Sequence, residues 1–298
     1  MEITYKIVNY IIKAQTEIYL PDFKGSAFRG GFGNIFRKIT CVLKRFDCLD
    51  CPIKQKCIYA YVFETIPDVS SNIMNMHKYE KVPHPFIFEP PLDRKKTFYP
   101  DEKLSLRVIL VGKGIEFLPY FTFTIAELGE VGIGKGRGKF KIEEIVVSKV
   151  ETLSLVNSNP SDKKVSKVDI RAITPIRIKH NRQLTDNLEF SIFIKALLRR
   201  LSLLYYFHVE NKKPPIDVHK LLGLSEQIQK VKENTFWYDW ERYSSRQNTR
   251  MKLGGILGEI TYSGHLTPFV SYIKAGEILH VGKGTSFGLG KYEIVDME

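Results

Sequence analysis

The sequence predicts an α+β chain built from one unit used twice. Three observations carry that reading. The pattern G-x-G-K-aromatic-x-I occurs as Gly136-Arg137-Gly138-Lys139-Phe140-Lys141-Ile142 and again as Gly288-Leu289-Gly290-Lys291-Tyr292-Glu293-Ile294, 152 positions apart in a chain of 298. Each copy follows a helix-like stretch opening at a proline, "LPYFTFTIAELGEVG" from Leu118 and "TPFVSYIKAGEILHVG" from Thr267. Between the halves lies "SLVNSNPSDKKVSK" (154–167), polar and proline-interrupted, as a join between domains would be.

In the first unit (1–155), residues 3–18 alternate as a strand. "GSAFRGGFGNIFRKITCVL" (25–43) then sets Phe28, Phe32, Ile35, Phe36 and Ile39 at helical spacing, with Ser26 as the expected N-cap. Gly30, Gly31 and Gly33 each cost a helix about 1 kcal/mol against Ala, so a neighbour is expected to approach the backbone there. "KLSLRVILVG" (103–112) is a strand, followed by the proline-started helix, the glycine-rich loop and the strand "KFKIEEIVV". The second unit (168–298) repeats the plan: strand "VDIRAITPIRIK", long helix 189–208, strand "GGILGEITYSG", then helix, glycine-rich loop 282–290 and strand "KYEIVDM". This order is that of tandem ferredoxin-like (RRM-like) domains.

Composition narrows the function. A hydrophobic content of 43% fits folded domains, and 45 Lys and Arg against 33 Asp and Glu give +12, which favours a polyanionic partner. Charges interrupt the N-terminal apolar residues, and Lys195, Arg199 and Arg200 break the greasiest region, so neither a signal peptide nor a membrane span is expected. The expected location is the cytoplasm. The glycine loops lack the order of a dinucleotide fingerprint: Phe287 stands where a glycine is needed, a helix precedes and a strand follows. Nor are they a P-loop, because Lys283 is followed by Gly284. Exposed amides beside lysine and arginine suit phosphates.

Over nearly its whole length the chain resembles the CRISPR precursor-RNA processing endoribonucleases of the RAMP superfamily. The residues that carry this are "LPDFKGSAFRGGFGNIFRKI", "PHPFIFEPP" (83–91), the central glycine loop and above all the C-terminal "HVGKGTSFGLGKYEI". The resemblance implies paired ferredoxin-like domains that bind CRISPR repeat RNA and cut it once per repeat without metal. In that chemistry the ribose 2′-hydroxyl attacks its own phosphate, leaving 2′,3′-cyclic phosphate and 5′-hydroxyl ends. It needs a base, an acid and cations for the charge on phosphorus. Two other readings stand beside it: a RAMP subunit that holds guide RNA in an effector complex with other CRISPR proteins without cutting, and a small-molecule enzyme on the same scaffold.

The resemblance implies a catalytic histidine in or near the first helix, yet none occurs between residues 1 and 76. His280, at the end of the second proline-started helix, becomes the expected acid or oxyanion partner, because a helix C-terminus favours imidazolium, and Lys283 just after it is the second expected catalytic residue. His265, His180 and Tyr262 are alternatives, as is no side-chain base at all. His84, between two prolines, is expected in a turn, His77 in a loop, and His208 at a helix end in the core or at the surface; His219, in a polar segment, carries no signal. Expected phosphate contacts are Lys24, Arg29 and Arg37 near the first helix, Lys135, Arg137, Lys139 and Lys291 at the glycine loops, and Arg246 and Lys252 in "SSRQNTRMKLGG". Trp237, Tyr238, Trp240 and Tyr243 are expected in the core rather than stacked on bases.

All four cysteines fall in "CVLKRFDCLDCPIKQKC", at Cys41, Cys48, Cys51 and Cys57. Four thiolates on a short excursion match the demand of a structural zinc site, with an iron–sulfur cluster or disulfides as alternatives. A fully ligated metal would have no open position for catalysis.

Overall fold

The structure is a computed structural model that describes residues 1–65, 82–155, 164–244 and 249–298, without the side chains of 241–244 and 249–252. The chain divides into two units, one formed by Thr4–Glu151 with Tyr206–Lys213, the other by Met1–Ile3, Thr152–Tyr205 and Pro214–Glu298. Residues 206–213, read from the sequence as part of the second domain, thus belong with the first unit.

The N-terminal unit contains β1 (Glu2–Ala14), α1 (Lys24–Thr40), β2 (Phe86–Glu89), β3 (Lys103–Val111), α2 (Leu118–Val131) and β4 (Phe140–Val147). Its antiparallel sheet has the order β2-β3-β1-β4, with Ile7 opposite Ile109 and Ala14 opposite Phe140. The C-terminal unit contains β5 (Lys167–Ile176), α3 (Phe190–Tyr205), α4 (Val218–Ser225), β6 (Gln229–Tyr238), β7 (Gly255–Ser263), α5 (Val270–Leu279) and β8 (Tyr292–Met297). Its sheet runs β6-β7-β5-β8, the same order, and Ala172 faces Tyr292 as Ala14 faces Phe140. Each is a ferredoxin-like sheet with the two halves of a split βαβ repeat interleaved.

Aromatic packing holds the first unit. Phe32 of α1 lies 5.1 Å from Phe36, 4.7 Å from Phe121 of α2 and 5.1 Å from Phe88 of β2. The glycines of α1 admit these neighbours. A Cβ at Gly31 would press on Leu128 of α2, and one at Gly33 would enter the ring of Phe63. Gly30 faces open space, and nothing in the structure explains it. The helix begins two residues before Ser26, whose hydroxyl donates to the Phe23 carbonyl and so caps nothing.

Candidate active site

Gly33 shapes more than the core. Because it lacks a side chain, Phe63 lies against α1, and the guanidinium of Arg29, one helical turn earlier, sits 4.1 Å over the Phe63 ring. Arg29 Nη2 lies 3.1 Å from His84 Nε2. The half-buried imidazole stacks on Phe86 (5.4 Å, 17°) and on Phe63 (6.0 Å, 26°). On its other side, His84 Nδ1 lies 2.8 Å from the Thr65 hydroxyl. Thr65 itself is buried and left-handed (φ 48°), closing the single π-turn Ala60–Glu64. A guanidinium only donates, so Nε2 accepts, the ring is neutral and its proton resides on Nδ1, directed at Thr65. The first helix carries no histidine of its own, but the fold brings one to it.

The sequence pointed elsewhere. His280 does end α5, but it is fully buried, adopts φ 59° and has Nδ1 3.0 Å from the Leu289 carbonyl. This burial speaks against contact with a large substrate; the residue ties the two ends of its own loop together. Tyr262 is also buried, its hydroxyl donating to Leu188 O and its pKa raised far above the usual phenol value by burial. His180, His219 and His265 are exposed, while His77 lies outside the described residues. His208 is buried within the N-terminal unit.

The cations divide similarly. Lys24 is sealed in, donating to the Asp93 carbonyl (2.5 Å) and pairing with its carboxylate (3.2 Å), so it fastens the segment before β3 to the start of α1 instead of meeting phosphates. Arg37 is exposed but turns towards Cys41 and the Tyr59 ring. Lys135, Arg137, Lys139 and Lys283 are exposed, and Lys291 is half-buried. Arg246 and the side chain of Lys252 lie outside the described residues. The aromatics also depart from expectation: Trp237 and Tyr238 are 40% and 38% exposed, on an edge strand of the sheet.

The glycine loops repeat bond for bond. The Lys135 amide donates to Tyr19 O (2.9 Å), and the Lys283 amide to Arg177 O (2.8 Å). The Lys139 amide donates to the Thr16 hydroxyl (2.8 Å), and the Lys291 amide to the Thr174 hydroxyl (2.9 Å). Gly134 and Gly282 are left-handed (φ 75° and 82°), and a Cβ on either would collide with the carbonyl that receives the lysine amide. Much of the glycine content therefore lets the chain close on itself. The loops then diverge. In the second, Thr285, Ser286, Gly288, Leu289 and Gly290 are buried. In the first, residues 134–137 are exposed, and Gly136 has nothing within 4 Å of where a Cβ would be.

The four cysteines are free, half-exposed thiols. Burial pushes the Cys48 thiol up. Among the described residues no three His, Cys, Asp or Glu side chains are gathered as metal ligands. Among those residues, too, no helix is long and apolar enough to cross a membrane.

Comparisons with known proteins bear on both halves. Residues 3–169 match the N-terminal domain family AF_1859_N, and residues 170–292 match the CRISPR-associated endoribonuclease Cas6 model. An uncharacterised protein of Archaeoglobus fulgidus is 22% identical over 294 residues, covering 93% of each chain. Among solved structures, a Cas6 product complex is similar with a TM-score of 0.59 at 14% identity, covering 98% of this chain and 100% of that one. Thermus thermophilus Cas6 is similar with a TM-score of 0.53 at 14% identity, covering 98% and 99%. The first of these models covers more than half of the chain, which therefore belongs to the family of the AF_1859_N N-terminal domain, and its residues 170–292 carry a region that matches the CRISPR-associated endoribonuclease Cas6, whose fold it shares.

Proposed function

We propose that the chain is an endoribonuclease that binds CRISPR repeat RNA and cuts precursor transcripts into guide RNAs, with His84 as general base and Arg29 as the cation at the scissile phosphate. The observation that carries this is the neutral imidazole held against α1 by Arg29 and Thr65 in a chain whose residues 170–292 match Cas6. Thr65 holds the proton on Nδ1, which leaves the Nε2 lone pair for the ribose 2′-hydroxyl. In the free protein that lone pair is engaged by Arg29. An incoming phosphate competes for the guanidinium, and the exchange both releases Nε2 and brings the positive charge to phosphorus. The 2′-oxygen then bonds to phosphorus, its proton passes to Nε2, and the 5′-oxygen leaves, taking a proton from water. Side chains fill the base and electrostatic roles, so the reaction is proposed to be independent of metal.

Lys135, Arg137 and Lys139, on the exposed first loop, supply phosphate contacts that set the register of the strand. Lys283 adds another from the C-terminal unit. Likeness to a Cas6 product complex is consistent with RNA as the ligand. Incubating the protein with repeat RNA in chelator and identifying the product ends tests the reading. The expected products end in 2′,3′-cyclic phosphate and 5′-hydroxyl. Tight binding with intact RNA would select the guide-holding subunit instead, and binding indifferent to salt would remove RNA altogether.

A further inference from the structure

We infer that His208 is the positioning residue of this site, holding His84 and Thr65 in register from a segment distant in sequence; the inference rests on the His84 reading above. His208 lies on the π-turn Tyr206–Glu210, which packs within the N-terminal unit, and it is fully buried. Its Nε2 is 2.8 Å from the Pro83 carbonyl and its Nδ1 is 2.9 Å from the Tyr61 hydroxyl. A carbonyl only accepts, so Nε2–H donates to Pro83, and Nδ1 accepts from Tyr61. Burial, and secondarily the charge of Glu116, raises the Tyr61 pKa, which keeps that donor protonated.

The two partners are informative. Pro83 immediately precedes His84, and Tyr61 lies in the π-turn that Thr65 closes. One imidazole therefore bridges the two chain segments whose ends form the His84–Thr65 hydrogen bond. The backbone of His208 is fixed as well, since its carbonyl occupies the space that a side chain at Gly112 (φ 53°) would need. Ring contact adds to the hold: Tyr61 meets His208 edge-on at 5.5 Å. A group that neither touches the RNA nor faces solvent thus fixes the orientation of the one that does the proton transfer, as outer partners of catalytic and metal-ligating histidines do.

Two near-isosteric substitutions separate the two bonds. Asn sets an acceptor where Nδ1 stands and so keeps Tyr61, but it does not reach Pro83. Gln sets an N–H where Nε2 stands and so keeps Pro83. In single-turnover cleavage of repeat RNA, His208→Asn is expected to slow cutting about 10- to 100-fold. His208→Gln, which gives up Tyr61 instead, is expected to slow cutting as well, while the RNA Kd of both stays within about twofold of the parent. Wild-type cutting by either folded variant, or a loss confined to Kd, would overturn the inference. Should the Asn variant fail to fold, Tyr61→Phe deletes one hydroxyl from the other partner; a slower cut at unchanged Kd is expected, and an unchanged cut overturns it. His84→Ala, run alongside, distinguishes the levels. If it cuts normally, the base assignment falls and takes this inference with it. If it is inactive while the His208→Asn protein is normal, only the inference falls.

Discussion

The glycines of α1 allow one substitution to be made twice with opposite expected outcomes. Gly30→Ala and Gly33→Ala sit in the same helix, and each gains about 1 kcal/mol of helix propensity. A Cβ at position 30 meets nothing within 4 Å, whereas one at position 33 would lie 2.1 Å from Phe63 Cζ and 2.8 Å from both Cε atoms. The Phe63 ring cannot slide away freely, with Tyr59 at 5.4 Å, Phe86 at 6.1 Å and the Arg29 guanidinium at 4.1 Å. Overpacking of this kind costs about 1–3 kcal/mol. Propensity cancels in the difference between the variants, which should therefore be about 2 kcal/mol, or about 1 M in urea midpoint for a slope near 2 kcal/mol/M. Circular dichroism in urea measures it. Gly30→Ala is expected to unfold at or above the parent midpoint and to cut RNA normally; Gly33→Ala should unfold earlier and cut more slowly, because Phe63 supports both Arg29 and His84. Coincident midpoints for the two variants would refute the packing argument.

Four further outcomes are expected. Arg29→Lys keeps the charge but loses the planar contact over Phe63, so single-turnover cutting should fall while the Kd for RNA changes little. Replacing Lys135, Arg137 and Lys139 together by Ala should flatten the dependence of log K on log salt by about 2, three single-strand contacts at about 0.7 each; an unchanged slope would remove that loop from the interface. Burial raises the Glu277 carboxyl above its ordinary value, only partly offset by the Ile294 amide that donates to it. The folded state therefore binds more protons than the unfolded state between the two pKa values, and stability falls as pH rises through that window. Glu277→Gln, whose amide oxygen can still accept from Ile294, should raise the unfolding midpoint more at pH 7 than at pH 4. Finally, Cys41, Cys48, Cys51 and Cys57 should all react with a thiol reagent in the native protein without chelator; protection lifted only by chelator would support the zinc reading instead.

The fold was legible where periodicity was strong and local. β1, β3, β5 and β7 read as strands from their own residues, and the duplicated G-x-G-K-aromatic pattern reported a repeated hydrogen-bond scheme. β2 escaped because "FIFE" is buried at every position, so it lacks the alternation of a half-exposed strand, and prolines flank it. β6 escaped for the opposite reason: "QKVKENTFWY" is an almost wholly exposed edge strand. Site residues were less legible. Lys24 reads as a surface cation until Asp93, 69 positions later, is seen to enclose it. His280 carries a helix-end signal that is real, but its burial serves the loop. His84 and Arg29 are 55 positions apart and meet only through the packing of Phe63 and Phe86, and His208 joins them from 125 positions beyond Pro83. The local signals were the Pro83-His84-Pro85 clamp and the unexplained Gly33; neither states what it is for until the fold joins them.

The most direct test of the account is single-turnover cleavage of end-labelled repeat RNA, in chelator, by the parent protein and by His84→Ala, with binding measured in parallel. The account predicts that the parent cuts once per repeat, leaving cyclic phosphate, and that His84→Ala binds equally well while cutting at least about 100-fold more slowly. Parental rates from His84→Ala, or a parent that falls silent only when metal is withheld, would contradict it.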